Sequence, residues 1–159
     1  MISYINSVLR TEQKYICVSR PRRFGKTMAA NMLCAYYGKG DSRFLFEDKK
    51  LAGHDNWGKY INHFDVIRVV MTDYLKENRS VSEGLDKMQK LVVRDLRKQY
   101  PDVDYFDADN PMQSLSDVYE ETGEDFVIVI DEWAGIFTSF RKSQELPYKH
   151  HSCKIEKVQ

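Results

Sequence analysis

Five apolar residues in a row, Phe126-Val127-Ile128-Val129-Ile130, run straight into two acids, Asp131 and Glu132. Four of the five are β-branched, so the run reads as a strand. It carries no polar alternation, and a strand apolar on both faces is normally covered on both sides, as in a parallel sheet layered between helices. The rest of the chain must then supply those helices and further strands. Asp65-Val66-Ile67-Arg68-Val69-Val70-Met71 reads as a second buried strand and Tyr15-Ile16-Cys17-Val18-Ser19 as a third.

Helices fall between these runs. Ile2, Ile5 and Leu9 share one face of a short amphipathic helix over 2–10. Met28, Ala29, Met32, Leu33 and Tyr36 recur at helical spacing from about Lys26 to Tyr37, and Gly38 supplies the stop. Residues 38–60 are irregular, with Phe44, Leu45, Phe46, Leu51 and Trp57 expected to pin them to the core. Ser80 and Glu83 form a capping box before the face made by Leu85, Met88, Val92 and Leu96. Asn110 before Pro111 starts a last helix, faced by Leu115, Val118 and Tyr119 and closed by Gly123. The order is helix, strand, helix, strand, helix, helix, strand. That alternation argues for an α/β layer fold with a mostly parallel sheet.

The chain's 159 residues amount to one domain, long enough to bury roughly 70% of the surface its unfolded form exposes. With 42% hydrophobic and 30% charged residues, 8 Gly and 4 Pro, it is not collagenous, low-complexity or a disulfide miniprotein. No run reaches the roughly 18 apolar residues of a membrane-spanning helix, and no signal peptide is visible. Cys17, Cys34 and Cys153 are odd in number and widely spaced, which suits reduced thiols in a cytosol. Cys17 and Cys34 sit among apolar neighbours and are expected as small core residues. Twenty-four positive and 24 negative side chains cancel, so no global field draws the chain to nucleic acid. The zero conceals a division: Asp102 to Glu132 contains eleven acids and no Lys or Arg.

The chemistry concentrates at two places. Phe24-Gly25-Lys26-Thr27 lies between a strand and a helix. The first amides of a helix are unpaired and its dipole adds about half a positive charge, so this is a phosphate cradle. Gly25 lets the backbone curl, Lys26 can reach the outer phosphates, and the Thr27 hydroxyl can sit on Mg²⁺. Arg23 and Phe24 would contribute amides. The usual phosphate-loop pattern, G-x-x-x-x-G-K-S/T, would put its first glycine at Arg20, where the sequence reads Arg20-Pro21-Arg22-Arg23. An ordinary strand-to-helix turn, or a nucleic-acid patch made by the arginines, would also accommodate the run. The second place is Asp131-Glu132, at the carboxyl edge of the sheet where ligands bind in open α/β folds. Asp131 can hold Mg²⁺ through its water shell, and Glu132 can polarise the water that attacks a γ-phosphate. The bland alternative is a strand that simply ends in surface acids.

Val18-Ser19-Arg20-Pro21-Arg22-Arg23-Phe24-Gly25-Lys26-Thr27 resembles the Walker A segment of the predicted AAA-ATPase-like family, which replaces the first phosphate-loop glycine within an R-P-R-R-F-G-K-S/T run. Ile128-Val129-Ile130-Asp131-Glu132-Trp133 resembles its Walker B. Tyr4-Ile5-Asn6 and the Tyr-Pro-Asp-Val-Asp-Tyr segment at 100–105 are similar to it as well. The resemblance covers roughly residues 1–140 and implies an incomplete three-layer α/β fold of the P-loop NTPase type. It also implies a bacterial, cytoplasmic protein with ATP binding and Mg²⁺-dependent hydrolysis. The roles carry over to Gly25 and Lys26 for nucleotide, Thr27 and Asp131 for metal, and Glu132 with Lys26 for catalysis. A nucleotide-binding or interaction module that does not hydrolyse ATP is the alternative.

The sequence departs from the family's pattern. Ala134 stands where another acid is common, and residues 141–159 read as a divergent, poorly ordered tail. The strands that follow Walker B in the family are expected to be missing, as in a gene fragment. One of them, the resemblance implies, lies between the Walker A and Walker B strands. Unpaired buried strand groups cost on the order of 1–3 kcal/mol each, so weak stability and poor solubility as a monomer are expected. Self-association, or pairing with a full-length relative, would relieve the gap. Nucleic acid and membrane are not expected partners.

Overall fold

A computed structural model describes residues 1–19, 24–76 and 80–134. Its helices are α1 (Ile2–Val8), α2 (Lys26–Tyr37), α3 (Met71–Leu75), α4 (Val81–Gln99) and α5 (Pro111–Thr122), with short 3-10 turns between α1 and α2 and across 43–53. The strands are β1 (Asp65–Val70) and β2 (Phe126–Asp131). They pair in parallel, in a register running from Asp65 opposite Phe126 to Val70 opposite Asp131. A parallel pair needs a crossover, and α3, α4 and α5 provide it. The chain is thus mixed α/β with a small parallel sheet.

The stop and start signals work as their chemistry requires. Ser80 accepts from the Glu83 amide to open α4. Asn110 accepts from the Met112 and Gln113 amides to open α5, with Pro111 at its first position. Gly123 closes α5 at φ 73°, a left-handed conformation that costs a glycine little.

The core sits at the amino end of the sheet. Tyr36, Tyr37, Phe46, Tyr60 and Phe64 are buried there with Ile2 and Ile5 of α1, and Val66 and Val127 pack against them. The rings meet edge-on, Tyr36 to Tyr37 at 4.9 Å and Tyr36 to Phe46 at 5.3 Å between centroids. Their hydroxyls converge on buried Asn6. Its amide donates to Tyr36 Oη at 2.8 Å and to the Asn56 carbonyl at 3.0 Å, and it accepts from Tyr37 Oη at 2.7 Å. Tyr36 donates in turn to the Trp57 carbonyl. The network therefore buries its polar atoms with partners.

Gly38, at the end of α2, bridges Phe64 just before β1. Across the sheet's other face at this end, the Tyr100 ring meets Phe126, and Gln99 and Tyr100 donate to Asp65.

Four expectations are corrected. Tyr15–Ser19 takes no strand partner among the described residues and is exposed throughout, Tyr15 by 85%. Its residue types favour a strand, but a strand exists only where a neighbour accepts its hydrogen bonds. Cys17, on the same segment, is consequently exposed rather than core, and Cys34 is half-buried. Phe44 and Leu45 also face solvent, leaving Phe46, Leu51 and Trp57 to anchor the irregular region. Finally, β2 is not covered on both sides. Ile128 and Ile130 remain about half exposed, while Val127, Val129 and Asp131 turn inward. The residues beyond Ala134, including the expected tail at 141–159, lie outside the described residues.

Candidate functional site

α2 lies against both strands. Its last residue is anchored beside the start of β1, so the helix runs against the strand direction and its first turn points to the carboxyl end of the sheet. The lengths agree: twelve helical residues rise about 18 Å, and six strand residues about 20 Å.

That first turn is open. Gly25 caps it at φ 72°, ψ 26°, and accepts from the Ala29 amide at 2.9 Å. Among the described residues no side chain caps the turn. Phe24, Gly25, Lys26 and Thr27 are all exposed. A Cβ at position 25 would meet little but the Met28 side chain, so its conformation rather than crowding calls for glycine. Arg23 lies outside the described residues.

The acids behave differently from one another. Asp131, the last residue of β2, is buried. Its Oδ1 accepts from the Glu132 amide at 2.9 Å, and among the described residues its Oδ2 has no hydrogen-bond partner. Arg68 Nη2 stands 3.5 Å from that Oδ2. A buried carboxylate oxygen without a hydrogen bond is costly, and Arg68 offsets its charge without donating to it. Glu132 is exposed and adopts φ 56°, a strained conformation for a non-glycine residue and one that clusters at functional sites. Its Oε2 accepts from the Thr72 hydroxyl.

Arg68 and Thr72 were not read as site residues from the sequence. Both belong to the β1–α3 segment, and only the parallel register brings that segment beside the end of β2. The Cys34 thiol is raised above its ordinary pKa, chiefly by burial. Asp131 adds to the rise and Arg68 opposes it. Cys34 lies on α2, which packs against the two strands that carry Arg68 and Asp131.

Among the described residues no group of three His, Cys, Asp or Glu could hold a metal by itself. Mg²⁺ does not need one: it binds through one or two carboxylates, substrate phosphates and retained waters. A single buried acid with a spare oxygen fits that requirement. An open groove of about 380 Å³ lined by Lys90, Arg94, Arg97 and Asp109 lies elsewhere. It follows the later turns of α4, whose end meets the amino end of the sheet, so it is not the rim described here.

The chain belongs to the family described as Predicted AAA-ATPase, matching it over residues 2–153. The match includes residues 24–27, Asp131 and Glu132, and it continues past residue 140. Membership points in general to nucleotide binding and ATPase chemistry, and it implies a nucleotide and usually a divalent metal. No curated protein and no solved structure matched the chain. Among the described residues no helix is long and apolar enough to cross a membrane.

Proposed function

We propose that this chain binds ATP with Mg²⁺ at the carboxyl rim of its sheet and hydrolyses it, as a P-loop NTPase of three-layer α/β type. The observation that carries the reading is the spare, buried oxygen of Asp131 at the end of a strand packed by a helix with an open, Gly-capped start. Gly25 and the amides of Arg23, Phe24 and Lys26 would cradle the phosphates, with the Lys26 ammonium on the outer ones. Thr27 and Asp131 would hold the metal, which supplies charge neutralisation at the transferring phosphoryl group. Glu132 would orient the attacking water, and the Thr72 hydroxyl fixes the carboxylate that must do so.

A second reading is binding without turnover. The exposed position of Glu132 favours it, because the carboxylate faces bulk water rather than a closed site that excludes it. The exposed flank of β2 at Ile128 and Ile130 further suggests self-association or pairing with a relative. A cytoplasmic location and a boundary near residue 140 remain part of the proposal.

Nucleotide titration with Mg²⁺ tests the reading. Wild type should bind ATP, and Lys26→Ala should lose at least about tenfold, the usual weight of a charged phosphate contact. Absence of binding by both proteins refutes the site. Glu132→Gln should bind normally and release no phosphate. Phosphate release by wild type above that variant rejects the second reading.

A further inference from the structure

The phosphate-cradle reading gives Arg68 no role, yet Arg68 is the ion-pair partner recorded for Asp131 among the described residues. Arg68 stands opposite Val129, and Asp131 is two residues further along β2, so both side chains project from the same face of the sheet. The contact has an unusual character. At 3.5 Å it is close enough for charge attraction, but Asp131 Oδ2 receives no hydrogen bond from it. The two ends also differ in freedom: the Asp131 side chain is 5% exposed and that of Arg68 34%. The acid is buried, whereas the guanidinium sits on a long stem that reaches solvent.

Resting on the magnesium–nucleotide reading, we propose that Arg68 is a built-in stand-in for the divalent cation. It neutralises Asp131 while the site lacks metal and swings outward when the metal takes its place. A fixed structural ion pair would show a bidentate, hydrogen-bonded guanidinium on the carboxylate. Here the buried carboxylate oxygen that faces Arg68 receives no hydrogen bond from it, so the guanidinium offsets the charge without being locked to it. Arg68 therefore acts as a positioning residue that sets how readily metal enters.

Mn²⁺ serves as the probe, read by its paramagnetic signal in the presence of a non-hydrolysable ATP analogue, with the full chain throughout. Arg68→Gln should bind Mn²⁺ about two- to fivefold more tightly than wild type, the weight of a part-exposed ion pair. Its metal-free form should melt lower than wild type, and metal with nucleotide should close that difference. Arg68→Lys, which keeps the charge, should stay within about twofold of wild type in Mn²⁺ affinity. Unchanged or weaker Mn²⁺ binding by Arg68→Gln overturns the inference while leaving the nucleotide site intact. Failure of wild type to bind the nucleotide analogue overturns both. Should Arg68→Gln fail to fold, the double variant with Asp131→Asn decides, because it leaves no buried charge to compensate. Its folding supports the pairing, and its failure to fold overturns it.

Discussion

The two ends of the sheet are built on opposite terms. At the amino end, aromatic rings are buried edge to edge, and Asn6 finds partners for its donors and acceptor among Tyr36, Tyr37 and Asn56. Asp65 there meets Lys39, Gln99 and Tyr100. At the carboxyl end, among the described residues, the first turn of α2 has no side-chain cap, Glu132 is strained and Asp131 keeps an oxygen without a hydrogen bond. Completed bonds at one end hold the fold, and uncompleted bonds at the other leave something for a ligand to do. Stability and binding should therefore respond to different substitutions.

The sharpest break would come from Tyr37→Ala, which empties a fully buried aromatic site. It should cost about 3–5 kcal/mol and bring the chain near its unfolding threshold, measured by denaturant titration. Comparable stability in wild type and variant would show that the aromatic cluster is not what holds the fold.

Next, Gly84→Ala should cost about 1–3 kcal/mol by forcing α3 and α4 apart. A Cβ at that position would lie 2.8 Å from the Tyr74 carbonyl oxygen. An unchanged melting midpoint would mean that this close approach is relaxed in solution.

At the other end, Lys26→Ala should reduce nucleotide affinity at least about tenfold, or about 1.4 kcal/mol, yet leave the nucleotide-free melting temperature unchanged within error. A matching loss of stability would erase the division between the two ends.

The mildest effect concerns pH. Burial and the bond to Asp65 push the Tyr100 hydroxyl up to about 12. A raised value means stability that is complete below the unfolded pKa, near 10, and lost as pH rises through about 12. Asp65 has the opposite sign. Burial opposes its ionisation, but the bonds from Lys39, Tyr100 and Gln99 outweigh it and hold the carboxyl below its ordinary 3.8. Its contribution is present above that value and lost as pH falls below it. Stability should thus be flat through neutral pH. Tyr100→Phe should remove part of the alkaline decline, read from thermal melts between pH 9 and 12.

Much of this was legible in the sequence because the signals are local. Ser80, Asn110 with Pro111, and Gly123 place helix ends through bonds made within a turn of themselves. The apolar runs at Asp65–Val70 and Phe126–Asp131 announce strands. Tyr15–Ser19 misled for a physical reason: residue type expresses preference, while pairing requires a neighbour that the run cannot specify. Likewise the sequence singled out Gly25, Lys26, Thr27, Asp131 and Glu132 from their chemistry, but gave no sign of Arg68 or Thr72. Those two carry no motif, since their part comes from lying across from residues some sixty positions away.

By itself, then, the sequence determined which residues could cap, extend or bind phosphate, because those properties reside in single side chains and short spacings. The tertiary structure alone decided which of them meet. Parallel pairing of β1 with β2 set Arg68 beside Asp131 and Thr72 beside Glu132, and a close helix crossing made Gly84 necessary. Contacts between distant segments depend on register and layer order, and no local pattern encodes either.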